Sequence, residues 1–277
     1  MLGAPPALEV LSAFGAPAGR LRAQRGGQGS AWRAGHVFFK AVDDEVEAHW
    51  TAELLSRLPQ DGFRISRPIR SVDERFVVDG WSAWEVITGS HDTVGRWREV
   101  MTTGRALNEA LAATARPDFL DTRTNVWSVD DRCAWDEQPF EVYDPPLAAV
   151  AHELRALVRP SHERSQLIHG DLSGNVLFSD GLAPAVIDFT PYWRPAVFAL
   201  AIVAVDAVCW HGATGQLFDG VADTSDPVGV VARAGLYRLV TSDRAALAMP
   251  EADSRAYLAQ NRLAYLGLLA TLNDWCC

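Results

Sequence analysis

The stretch LIHGDLSGNVLFSDGLAPAVIDFTPYW, residues 167–193, most limits what this chain can become. Its neighbours read as helix, with apolar residues at helical spacing over Leu147–Val158 and an unbroken apolar run from Ala196 to Val205. The stretch itself reads as loop, strand, turn, strand, loop, with the turn at Ser179-Asp180-Gly181. A hairpin folded there brings Asn175, ahead of its first strand, beside Asp188, after its second. An amide oxygen and a carboxylate converging in this way make a hard, oxygen-only site suited to Mg²⁺ shared with a phosphate chain. Asp171, on the same loop, is placed to accept a proton from an attacking hydroxyl.

A second feature lies far upstream. HVFFKAV holds Lys40, the only lysine among 25 lysines and arginines. A solvated surface needs only positive charge, so lysine can drift to arginine there without loss. A site that needs a compact, strongly hydrated ammonium on a flexible stem cannot make that exchange. The flanking residues Val37, Phe38, Phe39, Ala41 and Val42 read as a buried strand.

The rest of the chain falls into two parts. Leu8–Phe14 reads as a short helix, and LRAQRGGQGSAWRAGHVFFKAV as three strands with a glycine turn after the first. An amphipathic helix follows, starting at Asp43 or Asp44, with Val46, Trp50, Leu54 and Leu58 on its apolar face and Pro59 at its end. ISRPIRSV and RFVVDGWSAWEVI add strands. Beyond Thr88-Gly89 the segments Arg96–Arg116, Leu147–Val158, Ala196–Trp210, Gly229–Thr241 and Arg255–Leu272 all read as helices. The expected organisation is therefore a sheet lobe over 1–88 and a helical lobe over 89–277, with a hinge near Glu85 to Ser90.

HGDLSGNVLF and AVIDF, with GGQGSAW, VFFK and the order of the two lobes, resemble the aminoglycoside phosphotransferase and choline-kinase-like family. That resemblance implies an α+β, protein-kinase-like two-lobe fold, with a small antiparallel sheet and a mainly helical second lobe. It implies Asp171 as catalytic base, Asn175 and Asp188 as Mg²⁺ ligands, and Lys40 on the α/β-phosphates of ATP. It also implies a glutamate partner for Lys40 on the following helix, either Glu47, the first choice, or Glu53. Backbone amides of Gly27, Gly29 and Ser30 are placed to cover the phosphates, and the hinge backbone at Glu85 and Ile87 to meet the adenine edge. The departures are specific: the loop from Asp171 to Asn175 is one residue shorter than the kinase pattern, and Gly170 stands where that pattern has arginine. Thr190 and Pro191 follow Asp188-Phe189, and no A-P-E triplet follows, so switching by activation-loop phosphorylation is not expected.

The expected activity is ATP-dependent transfer of the γ-phosphoryl group to a hydroxyl of a small molecule such as an aminoglycoside or amino sugar. The alternatives are a non-catalytic nucleotide-binding protein on the same fold and an aspartate-based metal hydrolase, which leaves Lys40 unexplained. A formal net charge of −10 argues against a nucleic-acid partner and tilts the expectation toward a cationic acceptor. The four cysteines form no C-x-x-C pair, which fits a reducing cytoplasm. No signal peptide is expected, nor a membrane span, since the longest apolar run is interrupted at Asp206. His152 and His162 each lack the second histidine of a zinc-protease motif. His169 is expected to brace the catalytic loop. Trp193 and Trp210 are expected in the core, and Asp206, inside an apolar helix, needs a partner.

Overall fold

In the computed structural model, residues 4–17, 19, 21–23, 31–139 and 141–276 are described. Contacts divide the chain into two units, Met1–His91 with Leu177–Phe189, and Asp92–Val176 with Thr190–Cys277.

The first unit contains α1 (Leu8–Ala13), β1 (Arg22–Ala23), β2 (Ala31–Ala34), β3 (Val37–Ala41), α2 (Glu45–Arg57), β4 (Arg64–Ile65), β5 (Pro68–Ile69), β6 (Val77–Val78) and β7 (Trp81–Glu85). Alternation along β3 puts Val37 and Phe39 into a core with Val10, Leu11 and Phe14 of the α1 region. That alternation leaves Lys40 on the other face, opposite Ala31 of β2 and Ser82 of β7. The sheet runs β1-β2-β3-β7-β5, with β6 also on β7, and every pairing in it is antiparallel.

Helix α2 starts where expected, because Asp44 caps it by accepting hydrogen bonds from the N–H groups of Val46 and Glu47. Its buried face differs from the expected one. Val46 is exposed, and the buried residues are Thr51, Ala52 and Leu55, with Leu58 at the C-cap. Small residues let the helix lie close to β5 and β6, and a search for large apolar side chains passes over them.

The second unit contains α3 (Trp97–Leu111), α4 (Phe119–Thr122), α5 (Val126–Ala134), α6 (Pro145–Leu157) and β8 (Ser165–His169). The chain then forms β9 (Val176–Leu177), β10 (Ala185–Val186) and β11 (Pro191–Pro195). It ends with α7 (Ala196–His211), a 3₁₀ segment over Gly215–Val221, α8 (Pro227–Leu247) and α9 (Glu251–Cys276). The hairpin turn at Ser179-Asp180-Gly181 forms as expected, closed by a bond from the Leu182 N–H to the Ser179 carbonyl, with Gly181 at φ +71°. Strand β10 pairs in parallel with β4, Ala185 opposite Arg64, and Arg64 donates to the Ala183 and Thr88 carbonyls. This is why 177–189, placed with the helical part by the sequence division, groups with the first unit.

Helix α7 is apolar on all sides and packs against α3, α8 and α9, as a central core helix must. Gly212, at φ +69°, ends it in the left-handed conformation. Some elements escaped the sequence, among them α4 and the 3₁₀ segment. The loops flanking the hairpin hold β8 and β11, paired from His169–Pro191 to Ser165–Pro195. Prolines at both ends of PYWRP argue against a strand, but strand ends are where a missing N–H is tolerated. Helix α5 was also missed; Asn125 caps it through the Ser128 N–H. Among the described residues no helix is long and apolar enough to cross a membrane.

Asp130 of α5 is fully buried, and neither of its oxygens accepts a well-aligned hydrogen bond, although Arg244 Nε lies 2.9 Å from Oδ1. Burial pushes its carboxyl up to about 6, against the opposing charge of Arg244. A folded pKa above the unfolded one stabilises the fold below the unfolded value, and this contribution is lost as pH rises through about 6. Between pH 4 and pH 8 wild type should therefore lose on the order of 3 kcal/mol relative to Asp130→Asn. Paired urea titrations across that range check this; parallel pH profiles for the two proteins would count against it.

Candidate active site

Within the first unit, Lys40 Nζ lies 2.6 Å from Asp188 Oδ1 and 5.7 Å from the centroid of the Trp84 ring. Both members of the ion pair are partly solvated, so the pair contributes only about 0–1 kcal/mol and can be exchanged for other charges. Asp188 adopts φ +53°, a left-handed conformation that a non-glycine residue holds only where its surroundings enforce it. β10 ends just before it, so the hairpin dictates where this carboxylate points.

Glu47 is half-buried on the first turn of α2. Glu53, the alternative partner for Lys40, is engaged by Arg70 at 2.9 Å and Arg57 at 3.2 Å. The Glu85 N–H donates to the Arg67 carbonyl, and the Glu85 carbonyl accepts from the Ser66 hydroxyl. Glu85 is thus tied into its own sheet, with Ile87 two residues further along the chain. Gly27, Gly29 and Ser30 lie outside the described residues.

Within the second unit, the loop from Asp171 to Asn175 closes on itself. The Asn175 N–H donates to the Leu172 carbonyl at 3.0 Å, and Gly174 at φ +79° permits the tight path. Asn175 Nδ2 donates to the Asp171 carbonyl at 2.7 Å and approaches Asp171 Oδ2 at 3.3 Å. The amide nitrogen thus faces two acceptors, which turns Asn175 Oδ1 away as a free acceptor. Buried His169 accepts the Asp171 N–H at Nδ1, 3.1 Å away, and so braces the loop. Below the loop, Leu172 packs on Gly104 of α3, where an added Cβ would lie 2.7 Å from Leu172 and 2.9 Å from Leu200.

Asp171 keeps a partly exposed carboxylate. Its Oδ1 accepts from Arg238 Nη2 of α8 at 2.7 Å. The same guanidinium donates through Nε and Nη2 to Asp206 at 2.9 and 2.6 Å. Burial pushes the Asp206 carboxyl up, with the Arg238 charge opposing. Burial likewise opposes the Arg238 charge, but Asp206 and Asp171 outweigh it and hold its pKa well above the ordinary value. Asp206 therefore has its required partner. Sequence reasoning missed Arg238, whose only trace was the demand Asp206 makes for a cation. Trp193 and Trp210 are half-buried, and Trp210 packs edge-on against Tyr265.

Each residue taken by itself suits a hard cation: the Asp188 carboxylate of the first unit is half-exposed, and in the second unit it is the Asn175 nitrogen, not its oxygen, that makes the contacts to Asp171. Among the described residues no group of three or more histidine, cysteine, aspartate or glutamate side chains could hold a metal alone.

A family model described as the phosphotransferase enzyme family matches residues 10–210. The chain belongs to that family. The fold is protein-kinase-like, and family membership makes the protein a phosphotransferase. Among solved structures, the AMP-bound spectinomycin phosphotransferase APH(9)-Ia is 16% identical, with a TM-score of 0.64 over 95% of this chain and 97% of that one. A complex of a thermostable mutant of the aminoglycoside phosphotransferase APH(4)-Ia with ADP and hygromycin B is 14% identical, with a TM-score of 0.60 over 95% and 97%. Choline kinase LicA from Streptococcus pneumoniae is 12% identical, with a TM-score of 0.56 over 95% and 97%. A search of curated proteins finds no match.

Proposed function

We propose that this phosphotransferase moves the γ-phosphoryl group of ATP to a hydroxyl of a small molecule. The observation that carries the reading is the Asp171 carboxylate, partly exposed on the family's loop with its two oxygens held apart by Arg238 and Asn175. A carboxylate so held can receive and orient an acceptor hydroxyl and take its proton. Lys40 holds the α/β-phosphates, and its modest pairing with Asp188 exchanges readily for theirs. Glu47, on the first turn of α2, orients Lys40. Gly27, Gly29 and Ser30 cover the phosphates. The hinge backbone at Glu85 and Ile87 meets the adenine edge. Asn175 and Asp188 would supply oxygen ligands to Mg²⁺, which would neutralise phosphate charge. Spectinomycin and hygromycin B in similar structures, and a choline kinase among them, support a hydroxylated acceptor, and the acidic charge of this chain favours a cationic one.

Thermal unfolding of wild type and Asp188→Asn with ATP, each with and without Mg²⁺, tests the nucleotide and metal sites. ATP at a hundred times its Kd should stabilise wild type by about 2.7 kcal/mol. The Mg²⁺-dependent part of that shift should vanish in Asp188→Asn. An unchanged melting temperature with every nucleotide would remove the basis for the proposal. ADP release with hydroxylated compounds then identifies the acceptor.

A further inference from the structure

The family motif accounts for Asp171 but not for the cation that holds it. Arg238 lies 67 positions further along the chain, on α8. One edge of its planar guanidinium, Nε and Nη2, is taken by Asp206, the one charged residue inside the apolar core helix α7 apart from a terminal histidine. The remaining proton of Nη2 points to Asp171 Oδ1. Nη1 has no hydrogen-bond or ion-pair partner among the described residues.

We propose that Arg238 is a positioning residue for phosphoryl transfer: anchored by Asp206, it fixes Asp171 Oδ1 so that Oδ2 faces the acceptor hydroxyl. This rests on the reading of Asp171 as the group that receives that hydroxyl. The chemistry of the pair supports the role. Asp206 Oδ1 and Oδ2 are both engaged, so the guanidinium cannot swing without leaving a buried carboxylate unpaired, and unpaired buried charge is costly. Arg238 is therefore a rigid donor rather than a mobile surface cation, with only 14% of its side chain exposed. The contact of Asp171 Oδ2 with Asn175 is longer, 3.3 Å, so that oxygen retains accepting capacity. Lysine cannot replace this arrangement, because one ammonium lacks the planar fork that serves two carboxylates at fixed angles.

The competing explanation is that Arg238 only neutralises Asp206. The variants Arg238→Lys and Asp206→Asn/Arg238→Met separate the two, since the double variant removes both buried charges together. ADP release from Mg·ATP is followed over hours with water alone, then with spectinomycin and with choline as probe acceptors. Melting temperature and the KM for ATP are measured alongside. The double variant should fold, keep its KM for ATP within about twofold and lose about thirty- to a hundredfold in kcat, the scale of a misplaced catalytic group. Arg238→Lys, which still offsets Asp206, should lose about tenfold in kcat at unchanged KM. A folded double variant with wild-type kcat overturns the proposal. If the double variant fails to fold, Arg238→Lys decides: full activity overturns the role, and a kcat-only loss upholds it. Wild type that binds ADP but releases none from ATP under any condition overturns the transferase reading itself, and this role with it.

Discussion

Asp171→Asn is expected to reduce phosphoryl transfer by about a thousandfold while leaving nucleotide binding within about twofold of wild type. The substitution keeps the size and shape of the side chain, removes its charge and basicity, and puts an amide nitrogen in place of Oδ2, which gives up the long 3.3 Å contact from Asn175 Nδ2. The amide oxygen can still accept from Arg238 Nη2, and Arg238 keeps both its bonds to Asp206, so no buried charge is orphaned. The loop keeps its other ties, from the Asp171 N–H to His169 and from Asn175 Nδ2 to the Asp171 carbonyl. What disappears is the acceptor for the hydroxyl proton. ADP formation and ADP binding by calorimetry, measured on one preparation, check the split. Equal losses in both would mean that Asp171 holds the loop together and does no chemistry.

The residues legible in the sequence share one property: their meaning is local. Asp171 and Asn175 sit four residues apart on one loop, and Asp188 ends the hairpin that follows. Lys40 stood out by composition alone, as a lone lysine in a chain that elsewhere uses arginine. What the sequence concealed is tertiary. Arg238 looks like any other arginine on a helix, and only the packing of α8 against α7 brings it to Asp206 and Asp171. The grouping of 177–189 with the sheet unit depends on a parallel pairing of Ala185 with Arg64, which no short-range pattern encodes. The buried face of α2 was misjudged because Thr51 and Ala52 pack through smallness, whereas Val46 is merely apolar and lies in solvent. Asp206 falls between these cases, since an aspartate in an apolar helix announced a partner without naming it.

Gly170 shows how a departure from the kinase pattern becomes a packing requirement. Its N–H donates to the Thr190 carbonyl at 2.9 Å, in line with the β8–β11 ribbon, and a Cβ there would overlap the ring of Tyr192. That ring has nowhere to go. It is buried, its hydroxyl meets that of Tyr237 at 3.3 Å, and the Arg123 guanidinium lies 5.8 Å from its centroid. Tyr237 immediately precedes Arg238, so displacing Tyr192 also strains the segment that holds Asp171. Gly170→Ala should therefore cost about 3 kcal/mol of stability, the upper end for overpacking in a close-packed site. Tyr192→Leu offers a control, because it opens the space that the new methyl group needs. Introduced into that background, Gly170→Ala should cost at least 1 kcal/mol less, roughly the coupling expected of residues in direct contact. Chemical denaturation of the four proteins in this cycle measures the coupling. Strict additivity would mean that the glycine serves the backbone path of the loop instead of making room for the ring.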